Sequence, residues 1–121
     1  MSAQQTYSNK DTTYDVRILW KIAPRAKRVP IRNLLRGMDH KIWGEDDPTP
    51  FELMRMEKGY HWDTAMKSDL RHPVIVTPTG WIADGNHRLV KALVTGKDTM
   101  MARWFDSFED MEPARVSDIG V

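Results

Sequence analysis

The residues of this 121-residue chain best suited to chemistry lie in one stretch, Trp81-Ile82-Ala83-Asp84-Gly85-Asn86-His87-Arg88-Leu89-Val90. Their order predicts a strand, a break at Asp84-Gly85-Asn86, and a helix over residues 87–95 that Gly96 closes. The first turn of a helix has unpaired N–H groups and the positive end of the dipole, so this junction suits an anion, phosphate above all. Gly85 can take a positive φ and let a ligand approach the backbone. Arg88 can fork onto phosphate oxygens, and His87 can donate to phosphate or move a proton near neutral pH. Asp84 can accept a ribose hydroxyl, hold Mg²⁺ or act as a base. A plainer reading also stands, with Asp84 and Asn86 as helix caps and Arg88 as a solvated surface residue.

The elements that must position this junction can be read outward from it. Pro73–Thr77 and Trp81–Ala83 predict a β-hairpin around Pro78-Thr79-Gly80, and Thr99–Phe105 a last strand. Phe51–Lys58 predicts a helix with Thr49 as N-cap, Pro50 in the first turn and Glu52 early in it. Trp62–Leu70 places Trp62, Ala65, Met66 and Leu70 on one face, a second helix. Residues 39–50 hold glycine, prolines and acids and read as a long loop of the binding or lid kind. Tyr14–Ala23 alternates Val16, Ile18 and Trp20 with polar neighbours and predicts a strand. Val29–Leu35 reads as a second extended piece, which Pro30 restricts to an edge or a strand start. Residues 1–13 are expected as a flexible tail, 14–105 as the domain, and 106–121 as an acidic tail with a short helix or coil. The class expected is a single α+β domain with a small mixed sheet.

Weaker candidates surround the junction. Glu45, Asp46 and Asp47 could supply a base or bind Mg²⁺, or simply form a solvated loop. Between Arg17 and Arg36 the basic residues, Arg25, Lys27, Arg28 and Arg32 among them, meet no acid. Such a stretch can follow a nucleic-acid backbone or line one wet face of a strand. His40, His61 and His72 lack metal-ligand spacing, and no zinc site is expected. Of the five tryptophans, Trp20, Trp62 and Trp104 read as core, while Trp43 and Trp81 are placed to stack on a base.

Composition narrows the function classes. With 40% hydrophobic and 29% charged residues the chain is expected to fold, and a net charge of +1 confines any nucleic-acid role to a local patch. Zero cysteines exclude disulfides, thiolate zinc sites and thiol catalysis. No apolar run approaches the roughly 18 residues of a membrane span, and residues 1–13 lack the apolar core of a signal peptide. A soluble, cytoplasmic protein with no membrane partner is expected.

The junction, set among these elements, resembles the signature of the ParB/sulfiredoxin superfamily, a Gly-x-(His/Arg)-Arg turn entering a helix. Asp84, Gly85, His87 and Arg88 match the Asp-Gly-x-His-Arg version found in its small-molecule kinases and DNase-like members. The resemblance covers about Arg28–Phe105, with Val-Pro-Ile at Val29 and Pro-Val-Ile-Val at Pro73. It implies a ParB/sulfiredoxin-like fold and a bound ATP or other nucleoside di- or triphosphate. Gly85, Asn86, His87 and Arg88 would be its phosphate contacts. Kinase members of the family place a catalytic glutamate in the segment that here holds Glu45, Asp46 and Asp47. Asp84, His87, Glu45 and Asp46 are the catalytic candidates, and Asp84 or an acid among Glu45 to Asp47 would orient the nucleophile or Mg²⁺. Where sulfiredoxins carry cysteine this chain has Asn86, which excludes sulfinic-acid reduction. ParB proteins have arginine where His87 stands, and they append domains for which this chain has no room. Phosphate-bond chemistry, either NTP hydrolysis or phosphoryl transfer, is the function expected. The alternatives are a DNA nuclease using the same residues, with Arg25, Lys27, Arg28 and Arg32 on the nucleic acid, and a non-catalytic phage or mobile-element adaptor for DNA or a host protein.

Overall fold

The computed structural model describes residues 5–9 and 11–116. Strands β1 (Thr6–Asn9) and β2 (Thr12–Asp15) form an antiparallel hairpin. Helix α1 (Val16–Ile22) follows directly, then β3 (Lys27–Pro30) and a 3-10 turn over Ile31–Leu34. A long loop leads to α2 (Pro50–Met56) and α3 (Tyr60–Lys67). Next come β4 (Val74–Val76), β5 (Ile82–Asp84), α4 (Asn86–Val94) and β6 (Thr99–Trp104), and a 3-10 helix over Glu109–Ala114. The class is mixed α+β, in one small domain. No helix among the described residues is long and apolar enough to cross a membrane.

The main sheet has the order β3-β6-β4-β5, with only the β4–β6 pair parallel. Its central strand β4 is the unbroken apolar run Val74-Ile75-Val76, each residue 0% exposed, as a strand covered on both faces requires. Successive side chains of a strand point to opposite faces. Val74 and Val76 join the larger core with Leu53, Ala65, Leu89 and Val90, while Ile75 joins a second core with Tyr14, Leu19, Phe105 and Met111. Helices α2, α3 and α4 therefore cover one face. The hairpin, α1 and the C-terminal 3-10 helix cover the other.

Three segments depart from the sequence reading. Tyr14–Ala23 is not one strand: the chain turns helical at Val16, where the Asp15 side chain accepts from the Arg17 N–H as a cap. Val16 and Leu19 then face the core three residues apart. The extended piece is shorter than expected, because β3 ends at Pro30 and the chain tightens into a 3-10 turn that buries Ile31 and Leu34. Strand β3 does lie at a sheet edge, where proline's missing donor does no harm. Both expected tails carry packed structure. Residues 6–9 pair with β2, and Met111 and Ala114 are fully buried; positions 1–4, 10 and 117–121 of those tails lie outside the described residues.

Candidate functional site

The β5–α4 junction is built on close packing. Gly85 adopts φ 110°, ψ 17° at the N-cap of α4. A Cβ there would stand 2.5 Å from Val74 Cγ1 and 2.9 Å from Arg88 Nη2. Glycine is required because the turn presses onto β4. No side chain caps α4, so the N–H groups of its first turn stay open to whatever occupies the cleft in front of them.

That cleft has a volume of about 540 Å³ and is lined by Asp84, Gly85, Asn86 and His87, by Ile42, Trp43 and Trp81, and by β1. Trp81 is held from behind by the Arg36 guanidinium, 5.8 Å from its ring, and by the edge of His40 at 4.8 Å. Arg36 in turn donates to the Thr79 carbonyl at 2.8 Å.

Asp84 and Arg88 form a brace behind the cleft. Trp20 Nε1 donates to one Asp84 oxygen at 2.7 Å, and Gln5 Nε2 donates to the other at 3.0 Å. Arg88 Nη2 lies 3.7 Å from Asp84 and donates to the Pro73 carbonyl at 3.2 Å. Its guanidinium also stacks on Trp20 at 5.8 Å. With 18% of its side chain exposed, Arg88 ties the starts of β4 and α4 together. Its Nε is the one buried side-chain nitrogen or oxygen without a partner among the described residues.

A second group stands at the mouth of the cleft. His61 Nδ1 and His87 Nε2 are 2.9 Å apart, in hydrogen-bond contact. His61 Nε2 lies 3.4 Å from Asp47 Oδ1. The Trp43 ring covers both imidazoles, with centroids at 4.4 Å from His61 and 4.6 Å from His87 and planes within 17°. Burial chiefly, then the neighbouring His61 and Arg88, lowers the His87 pKa to about 4, with Asp84 opposing. His87 is therefore a neutral ring at pH 7 and can accept a proton. The four members come from three elements: Trp43 and Asp47 from the 39–50 loop, His61 from the start of α3, His87 from the start of α4.

No protein-family model matches the chain, and no curated protein or solved structure matches it.

The structure gathers Gly85, Asn86 and His87 at the cleft and puts Arg88 beneath the helix start. Each carboxylate oxygen of Asp84 accepts one protein hydrogen bond, from Trp20 or from Gln5, which fixes its orientation. Among the described residues no cluster of three or more His, Cys, Asp or Glu could hold a metal ion. Of the three neighbouring acids Asp47 reaches the histidines. Glu45 and Asp46 are exposed, and Asp46 lines a separate hollow with Lys41, Glu52 and Arg55. Lys27 and Arg28 lie on β3, with Arg25 just before it and Arg32 just after, all exposed. That edge is three strands from β5, or about 14 Å at the usual strand spacing, so the basic set and the cleft are apart. Sequence reasoning missed His61, because its partner lies 26 residues away and nothing local marks it.

Proposed function

We propose that the cleft in front of α4 binds a nucleoside di- or triphosphate and carries out phosphate-bond chemistry, hydrolysis or transfer, on a ParB/sulfiredoxin-like plan. The observation that carries this reading is the uncapped α4 start, with Gly85, Asn86 and His87 lining a cleft walled by Trp43 and Trp81. Open N–H groups and the helix dipole favour the phosphates, and tryptophan faces suit a planar base. A volume of about 540 Å³ falls within the range of small-molecule sites. His87, neutral and facing the cleft, accepts the proton of the attacking water or hydroxyl. Arg88 contributes positive charge from below and holds the turn. No step is routed through Mg²⁺, because among the described residues no group of three or more His, Cys, Asp or Glu gathers around Asp84.

The test is thermal melting with ATP, ADP, CTP and GTP, with and without Mg²⁺, for wild type and Asn86→Asp. Aspartate at this position suits the helix dipole but repels phosphate. Ligand at about a hundredfold its Kd stabilises by about 2.7 kcal/mol. A nucleotide-dependent rise that Asn86→Asp abolishes is expected. No rise with any nucleotide would overturn the reading and favour a binding module for DNA or protein, with Arg25, Lys27, Arg28 and Arg32 as its first residues to mutate.

A further inference from the structure

We propose that His61 and Asp47 are positioning residues for His87, holding it in the tautomer that carries its proton on Nε2 and leaves Nδ1 as the acceptor in the cleft. An ionised carboxylate only accepts, so the 3.4 Å approach of Asp47 to His61 Nε2 favours a proton on that nitrogen. In a neutral His61, Nδ1 is then a bare lone pair. Its 2.9 Å contact with His87 Nε2 requires His87 to be the donor, and neutral His87 is left with an unprotonated Nδ1. Among the described residues that atom has no protein partner and is not buried. The reverse order would set a bare His61 Nε2 against the carboxylate, lone pair to lone pair. Trp43 lies flat over both rings, and Tyr60 meets His61 edge-on at 5.3 Å. The contacts restrict ring rotation as the ligands of a metal-bound or catalytic histidine do.

Use of this acceptor in phosphate-bond chemistry rests on the reading above; the tautomer itself does not. In that use the nucleophile's O–H bond breaks as its oxygen bonds to phosphorus, and the proton passes to His87 Nδ1. The P–O bond to the leaving phosphate breaks with its electron pair. His87 becomes an imidazolium, stabilised through His61 by Asp47, and later returns the proton to the leaving oxygen or to water. A phosphate at the helix start adds negative charge beside the ring and raises its proton affinity.

Long-range ¹H–¹⁵N spectra of the imidazoles, recorded on the whole ligand-free chain at about pH 7.5, read the tautomers directly. His61 and His87 are both expected with the proton on Nε2. Asp47→Asn, whose amide can donate to His61 Nε2, is expected to remove that single tautomer from both rings. His61→Phe keeps the stack on Trp43 and is expected to leave His87 as a mixture. A proton on His87 Nδ1 in the wild type, as a doubly protonated His61 would impose, overturns the proposal. So does a His87 signal unchanged in both variants. If the tautomers are as expected and no nucleotide binds, the relay stands and the nucleotide reading falls; nucleotide binding with the reversed tautomer has the opposite meaning. Where turnover is found, Asp47→Asn should lower kcat about tenfold or more with little change in KM, whereas a merely structural role would leave the tautomers untouched.

Discussion

Replacing His87 with asparagine should flatten the pH dependence of stability on the acid side of neutrality. In the folded chain the His87 pKa is lowered from 6.5 to about 4, burial being the main cause. Between those values the unfolded chain binds more protons than the folded one, so stability is fully present above the unfolded value and falls as pH drops toward the folded one. From about pH 7 to pH 4.5 the full shift corresponds to about 2 kcal/mol, and solvent screening of a partly buried ring brings the expected loss to about 1 kcal/mol. Glu52 and Asp69 also have lowered pKa values, Glu52 through the Thr49 backbone N–H and Asp69 through Arg71. Their contributions begin to be lost near the ordinary carboxylate values, at the acid edge of this window, and being common to both proteins they cancel in the difference of slopes. The assay is urea unfolding of wild type and His87→Asn across that range, read as the difference in slope. A variant that is uniformly less stable still answers the question. Equal slopes would refute the claim that the fold keeps His87 neutral, and a wild type that gains stability on acidification would reverse its sign.

The remaining predictions concern the frame that holds the site. Gly85→Ala places a Cβ 2.5 Å from Val74 at φ 110° and should cost about 2–4 kcal/mol in denaturant unfolding, from backbone strain and overpacking together. Arg103 donates to the carbonyls of Trp20, Ala23 and Pro24 at 2.7–2.9 Å. Arg103→Met should leave these acceptors unpaired, lowering stability by about 2–4 kcal/mol and loosening α1 in hydrogen exchange. Thr49→Ala removes half of the capping box with Glu52 and should cost about 1 kcal/mol by the same unfolding assay.

Legibility in the sequence followed the range of the interactions. Helix α2 was readable because its signals are local: Thr49 accepts from the Glu52 N–H, Glu52 accepts from the Thr49 N–H, and Pro50 follows the cap. The glycine–helix junction was readable for the same reason. Residues 14–23 were misread because Ile18 and Trp20 continue the alternation that starts at Val16. A period of two then hid the helical spacing that the Asp15 cap sets. At the C-terminal end the acids Glu109, Asp110 and Glu112 masked Met111 and Ala114, the pair that packs. In the site, the roles of Asp84 and Arg88 depended on Trp20 and Pro73, far away in sequence. Asp47, His61 and His87 meet only once α3 and α4 are packed together, a juxtaposition that no local pattern encodes.

The central claim, that a phosphate-bearing nucleotide sits on the start of α4, is tested most directly by titrating ¹⁵N-labelled protein with ATP, ADP, CTP and GTP in turn. The account predicts that one of them moves the backbone amide signals of Gly85, Asn86, His87 and Arg88 and the indole N–H signals of Trp43 and Trp81 most. Those six signals staying fixed at saturating nucleotide, or shifts confined to the β3 edge around Lys27 and Arg28, would contradict it.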